Sequence, residues 1–166
     1  MKPRFQHVGL IGKYLRNYPA PQASQTEGTP ANILMSVATC LKEQGCQVAI
    51  ESRSAEITGL DRLFPTLEMV EIGQQCDLAV VVGGDGAIND AVNGIMSSSA
   101  EDKENIALGI IPNGIGNDFA KYWGLDEDNY KQAVDWVINR RLRKIDVGCC
   151  NFFDGEQHTN YIEHFH

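Results

Sequence analysis

The sequence predicts an α/β domain, a mostly parallel sheet with helices on both faces. Three observations carry this prediction. Short apolar runs recur at His7–Ile11, Val48–Ile50, Leu78–Val82 and Leu108–Ile111, and uninterrupted apolar runs mark strands buried on both faces. Segments with apolar residues at helical spacing stand between them, as Ile33, Val37, Cys40 and Leu41 do. Strands that alternate with helices pair in parallel through crossovers and leave both faces covered.

The elements follow in order. His7–Ile11 (HVGLI), closed by Gly12, is the first strand. Lys13 to Gly28 carries two prolines with Ser, Thr and Gly and no period, which predicts a loop. Thr29-Pro30 has the form of an N-cap followed by proline at the first helical position, and Gly45 ends that helix. Val48–Ile50 is a second strand. Ser52–Leu63 is polar, contains Gly59, and selects no element. Thr66–Gln74 predicts a helix through Leu67, Val70 and Glu71. Leu78–Val82 (LAVVV) is the most hydrophobic stretch and predicts a central third strand.

The second half repeats the alternation. Ile88–Met96 predicts a helix with Ile88, Val92 and Ile95 on one face, and Ser97–Asn105 a polar connector. Leu108–Ile111 is a fourth strand, stopped by Pro112. Asn117–Trp123 is a short helix stopped by Gly124. Asp126–Arg141 is an amphipathic helix, acidic at its start and basic at its end as the helix dipole favours. Ile145–Val147 predicts a fifth strand. Phe152–Glu156 reads as strand and turn, and His158–Glu163 as a returning strand. Trp123 and Trp136 are expected to pack in the core.

Composition sets limits. A length of 166 residues predicts one domain, residues 1–166, able to bury its own core. The net charge of −8 argues against duplex DNA or an anionic membrane as partner, because phosphate backbones need a positive footprint. It leaves room for a small phosphorylated ligand. The apolar runs are too short to span a bilayer, and the first residues lack the apolar core of a signal peptide. Five cysteines with no CxxC spacing predict reduced thiols in a cytoplasmic protein, each a small apolar core residue. The four histidines have no metal-ligand spacing.

Ligands of parallel sheets sit at the carboxyl ends of the strands. The turns to search therefore follow Ile11, Ile50, Val82, Ile111 and Val147. Gly83-Gly84-Asp85-Gly86 follows the third strand and precedes a helix. Its glycines allow a sharp turn and close approach of N–H groups to an anion at the helix start. A carboxylate there repels phosphate unless it holds Mg²⁺ or takes a proton from an attacking hydroxyl. The bland alternative is a strand-to-helix turn with Asp85 as a cap. No GK[ST] follows, and Asn89 stands where GxGxxG would place its last glycine. Pro112 to Asp118 (PNGIGND) is a second such turn. Gly114 and Gly116 permit the same approach, while Asn117 and Asp118 stand where caps belong. Two such turns on consecutive units would lie side by side and form a cleft for a nucleotide tail.

At these residues the chain resembles a known superfamily. GGDG at Gly83–Gly86 resembles the signature shared by NAD kinases, diacylglycerol and sphingosine kinases and, more distantly, 6-phosphofructokinases. GGDGAINDAVNG (Gly83–Gly94), LGIIPNGIGNDFAKYWG (Leu108–Gly124) and RKIDVG (Arg143–Gly148) are similar to the lipid-kinase motifs. FQHVGLIGKY (Phe5–Tyr14) and EIGQQCDLAVVVGGDG (Glu71–Gly86) are closer to bacterial NAD kinases. A divergent member and a chimera joined near GGDG both fit this pattern.

The resemblance implies a phosphofructokinase-like α/β three-layer sandwich that uses ATP and Mg²⁺ to phosphorylate a hydroxyl, with NAD or a lipid alcohol as acceptor. It implies that Gly83, Gly84, Asp85 and Gly86 hold the phosphates, with Asp85 at Mg²⁺. It implies that Gly114, Gly116, Asn117 and Asp118 line the nucleotide site. In the NAD-kinase pattern Asp85 is instead the base at the acceptor hydroxyl. Asn89 and Asp90 fall at the lipid-kinase Asn-Glu pair, where they orient the loop or face solvent. Ala87 and Ile115 replace expected threonines, whose lost hydroxyls predict weaker ATP binding. Family enzymes continue into a β-rich second domain that closes the cleft, so the resemblance predicts a nucleotide-binding half with poor turnover alone. It also predicts an open apolar face suited to pairing with a second copy. The rival expectations are a non-catalytic α/β domain and a complete, divergent kinase acting as an oligomer.

Overall fold

The computed structural model describes residues 4–12, 30–99, 101, 105–113, 116–125, 130–139 and 142–163. Its main sheet has five parallel strands: β1 (His7–Gly12), β2 (Gln47–Glu51), β3 (Thr66–Leu67), β4 (Leu78–Gly83) and β5 (Ala107–Pro112), in the order β3-β2-β1-β4-β5. Among the described residues six α-helices accompany them: α1 (Pro30–Glu43), α2 (Ser52–Thr58), α3 (Met69–Gln75), α4 (Asp85–Met96), α5 (Asp118–Tyr122) and α6 (Tyr130–Asn139). A separate antiparallel hairpin joins β6 (Val147–Phe153) to β7 (Gln157–Glu163), and β7 packs on α4.

The layers follow from side-chain alternation along the strands. Val8, Leu10, Leu78, Val80 and Val82 point to one face, where Leu34, Val37 and Leu41 of α1 and Ala133, Val134 and Ile138 of α6 cover them. Ile11, Ala79, Val81 and Ile110 point to the other, where Ile72 of α3, Ile88 and Val92 of α4 and Phe119 of α5 pack. The predicted sandwich with helices on both faces is the observed one. All six residues of β4 are buried, which explains its unbroken apolar run. That strand is interior, flanked by β1 and β5, while β1 holds the middle position. At the end of α1, Gly45 adopts a positive φ of 90°, as the glycine stop requires.

Several elements differ from expectation, each for a local reason. The unassigned stretch after Ile50 forms α2 and a 3₁₀ turn at Leu60–Arg62, because Glu51 supplies a cap. Thr66–Leu67 are not helical. They pair with Ile50 and Glu51 as the sheet edge, and the helix starts only at Met69. There the Glu71 carboxylate accepts the Glu68 N–H at 2.8 Å. Val147 does not join the parallel sheet. It opens the hairpin, whose strands meet through a short turn containing Gly155 at φ 109°. Local antiparallel pairing needs no crossover, whereas a sixth parallel strand would need one. The expected loop over 13–28, and residues 126–129 and 140–141 of the expected amphipathic helix, lie outside the described residues.

The five cysteines differ in burial, and Cys40 is half-buried. Cys46 and Cys76 are buried as expected, but Cys149 and Cys150 are exposed on β6 because the hairpin has no helix over them. Burial, and then the neighbouring Asp77 carboxylate, push the Cys76 thiol from its ordinary value near 9 up to about 11. The same causes raise Cys46. A raised pKa means that folding favours the neutral thiol. Its contribution to stability is therefore complete below pH 9 and lost as pH rises from 9 towards 11. Thiol labelling at pH 8 should modify Cys149 and Cys150 quickly and Cys46 and Cys76 only after unfolding. Equal labelling of all of them in the folded protein would contradict this packing.

Candidate functional site

The strand order fixes where a ligand belongs. From β1 the chain runs outward through β2 to β3, then returns to the other side of β1 as β4. The reversal places the topological switch point beyond the carboxyl ends of β1 and β4, where open parallel sheets form their ligand crevice. Gly12 and Gly83 end these two strands.

The GGDG segment lies at this edge, but only part of it is a loop. Gly83 is the last strand residue, Gly84 is the N-cap of α4, and Asp85 and Gly86 already belong to the first helical turn. The expected start at Ile88 is three residues late. Glycine has a low helix propensity, but the first turn demands less of it than the interior. No side chain caps α4 at Gly84. A Cβ added at Gly86 would meet nothing within 4 Å, so the helix start faces open space. The Gly83 carbonyl accepts the Asn113 N–H at 3.0 Å and carries the β4–β5 pairing into the second turn.

Asp85 links the two turns. Its Oδ2 accepts the backbone N–H of Asp118 at 3.2 Å, and its Oδ1 that of Phe119 at 3.1 Å. Asp85 is thus a cap, but of α5 rather than of its own helix. The residue before those amides, Asn117, is buried and adopts φ 54°, ψ 34°, the left-handed conformation that asparagine tolerates better than most residues. This bend lets the chain leave β5 and turn the α5 amides towards Asp85. Gly116 faces the carboxylate, since a Cβ built there would sit 3.4 Å from Asp85 Oδ2.

The structure therefore brings Gly83, Gly84, Asp85, Gly86, Gly116, Asn117 and Asp118 to one edge. Gly114 and Ile115 lie outside the described residues. Asn89 is one turn along α4 from Asp85 on the same side, half-buried, with its backbone carbonyl accepting the Asn93 side chain at 2.8 Å. Asp90 is exposed one turn from Gly86. Ala87 is buried in the core on the α4 side of the sheet, so a side chain at this position faces the sheet more than the crevice. Among the described residues no three His, Cys, Asp or Glu side chains gather as a metal cage.

One cluster at this edge was not anticipated. Glu51, at the end of β2, is 4 % exposed and accepts hydrogen bonds from the Ser54 N–H at 2.8 Å and the Ser54 hydroxyl at 2.7 Å. The only sequence signal is an acidic residue three before a serine at a strand end, which is too common to stand out.

A parallel sheet with two glycine-rich β–α turns beside its switch point is the architecture of a phosphate-handling α/β domain. Residues 21–150 match the diacylglycerol kinase catalytic domain, and the chain belongs to that family. The match reaches well upstream of Gly83, further than the lipid-kinase motifs do. Curated relatives include an NAD kinase of Polaromonas naphthalenivorans, 47 % identical over 88 residues, which are 53 % of this chain and 26 % of that protein. An NAD kinase of Delftia acidovorans is 43 % identical over the same length, 28 % of its own chain. The chain thus spans about a quarter of these relatives. A solved diacylglycerol kinase from Bacillus anthracis aligns with 95 % of this chain and 46 % of its own, at a TM-score of 0.58 and 20 % identity. Yeast NADH kinase complexed with NADH aligns with 97 % and 47 %, at 0.54 and 16 %. These structural likenesses confirm the fold. No helix among the described residues is long and apolar enough to cross a membrane.

Proposed function

We propose that the crevice beyond β1 and β4 binds Mg·ATP and that the chain is the nucleotide-binding half of a phosphotransferase acting on a hydroxyl. The observation that carries this reading is the junction of the two glycine-rich turns through Asp85 at the switch point. The first amides of α4 have no partner within their own helix, as in every helix, and Gly84 and Gly86 let a phosphate approach them. Mg²⁺ in such sites takes one or two carboxylates, with phosphate oxygens and water for the rest. Asp85 meets that demand without a cage. Bound Mg²⁺ would neutralise charge developing on the phosphoryl group.

The chain's own residues then have distinct tasks. Gly84 and Gly86 admit the phosphates, Asp85 faces the metal, and Gly116 and Asn117 shape the wall beneath the nucleotide. Asp118 offers a carboxylate next to its clamped amide. The acceptor is NAD or a lipid alcohol.

Calorimetry and thermal melting with ATP and Mg²⁺ test the reading. With ligand at ten times its dissociation constant, stability should rise by about 1.4 kcal/mol and the melting temperature by about 3–5 °C. The gain should vanish without Mg²⁺. Absence of both heat and shift at millimolar ATP would overturn the assignment in favour of a non-catalytic domain. Transfer of label from ATP to NAD or to diacylglycerol identifies the acceptor.

A further inference from the structure

The register of β1 poses a question at the crevice. Its pairing with β2 ends at Leu10 and Ile50, but its pairing with β4 runs on to Gly12 and Val82. The end of β1 therefore projects past its β2 neighbour, and the Gly12 N–H has no strand to bond there. The Ser54 hydroxyl oxygen accepts it at 2.9 Å. Ser54 gives its own hydroxyl proton to Glu51 Oε2 at 2.7 Å, so its lone pairs are what faces Gly12. Glu51 is held in turn by the N–H groups of Ser54, at 2.8 Å, and Arg53, at 3.2 Å. Glu51 and Ser54 are both buried, at 4 % and 3 % exposure.

This is a demanding way to hold one amide. A buried carboxylate is tolerated only when hydrogen bonds replace its water, and here all three named donors lie within the segment Arg53–Ser54. The third side is closed by packing. A Cβ at Gly12 would come within 2.7 Å of Leu34 on α1 and 3.5 Å of Ser54. The end of β1 at Gly12 is therefore fixed by Val82, by Ser54 and by Leu34 together. It stands beside the end of β4, where the Gly83–Gly86 turn begins.

We propose that Glu51 is a positioning residue for the phosphate site. Acting through the Ser54 hydroxyl, it fixes the Gly12 amide and so the β1 wall of the crevice. This rests on the ATP reading above and assigns that site a residue from β2, outside both glycine-rich turns. Glu51 touches no reacting group, and its effect passes through two hydrogen bonds.

The test measures the Mg·ATP dissociation constant and the melting temperature of the full chain, with Ser54→Ala, Ser54→Thr, Glu51→Met and the Glu51→Met/Ser54→Ala pair. Ser54→Ala removes the relay but leaves Glu51 its backbone donors. It should weaken Mg·ATP about tenfold, the scale of losing a supporting hydrogen bond behind a binding site. Ser54→Thr retains the hydroxyl and should restore most of that loss. The Glu51→Met/Ser54→Ala variant should bind no worse than Ser54→Ala, because both changes break one relay. The Gly12 amide resonance should lose its hydrogen-bonded shift in Ser54→Ala and regain it in Ser54→Thr.

If Ser54→Ala melts lower yet binds Mg·ATP as the parent does, the relay is structural only and the proposal is overturned. If Ser54→Ala does not fold, Glu51→Met, which removes both acceptor oxygens at similar volume, supplies the same comparison, and unchanged affinity there is equally decisive. If the parent chain itself binds no Mg·ATP, the functional reading falls first and the positioning role with it. That outcome differs visibly from a parent that binds and a variant that binds equally well.

Discussion

Asp85→Ala should cost the protein both its clamp and its metal-dependent nucleotide binding. The side chain accepts two backbone N–H groups at the start of α5. Loss of a capping carboxylate typically costs about 0.5–2 kcal/mol. At this chain length that lowers the melting temperature by about 1–8 °C. Phosphate binding should suffer more. On the proposed reading a metal ligand disappears, and the α5 turn is no longer held against α4. Affinity for Mg·ATP should fall beyond the range of calorimetry.

Asp85→Asn separates the two roles. An amide keeps one acceptor oxygen for Asp118 or Phe119 but turns an NH₂ towards the other N–H. Stability should fall between the parent and the alanine variant. The amide is a poor ligand for Mg²⁺, which prefers charged oxygen, so the Mg²⁺ dependence of ATP binding should be lost. An asparagine variant that melts lower yet retains Mg²⁺-dependent binding would make Asp85 a clamp alone and remove it from the metal site.

The Asp85 clamp was not legible in the sequence, whereas much of the scaffold around it was. The β4 run was legible because all of its residues are buried and the pattern has no polar interruption. Its following turn was legible as glycine-rich, and α1 was legible from its apolar stripe and Gly45. The start of α4 is hidden in the sequence because Gly84-Asp85-Gly86 has loop composition, although the latter two residues are helical. That Asp85 caps a different helix follows from the register of β4 with β5, which brings together residues 33 positions apart. No local pattern encodes such a distance. Glu51 escaped for the same reason, since Ser54 reaches across to Gly12 over 42 positions. Thr66 and Leu67 form a strand only because β2 offers an edge beside them. Local propensity is a weak guide where a neighbour decides the pairing.

Packing beneath the site permits a second test of large effect. Gly9 lies in β1, and a Cβ there would come within 2.5 Å of Ile72 Cγ2 and 3.0 Å of Cγ1. Ile72 on α3 is fully buried, and both atoms belong to its stiff β-branch. Gly9→Ala should therefore destabilise by about 1–3 kcal/mol through overpacking. Ile72→Ala should cost about 2–5 kcal/mol through the cavity it leaves. Together the changes should not add, because the new methyl group enters space that the isoleucine has vacated. The double variant should be more stable than the sum predicts by about 1–2 kcal/mol, read from urea midpoints at constant slope. Additivity within about 0.5 kcal/mol would mean that α3 does not press on β1 at this position. The same series bears on the site. Gly9 is upstream of Gly12 on the strand whose end forms the crevice wall. If Gly9→Ala also weakens Mg·ATP and Ile72→Ala restores it in the double variant, the wall takes its position from the packing of α3 on β1. Unchanged affinity throughout would place that control with the Ser54 relay and the β4 ladder instead.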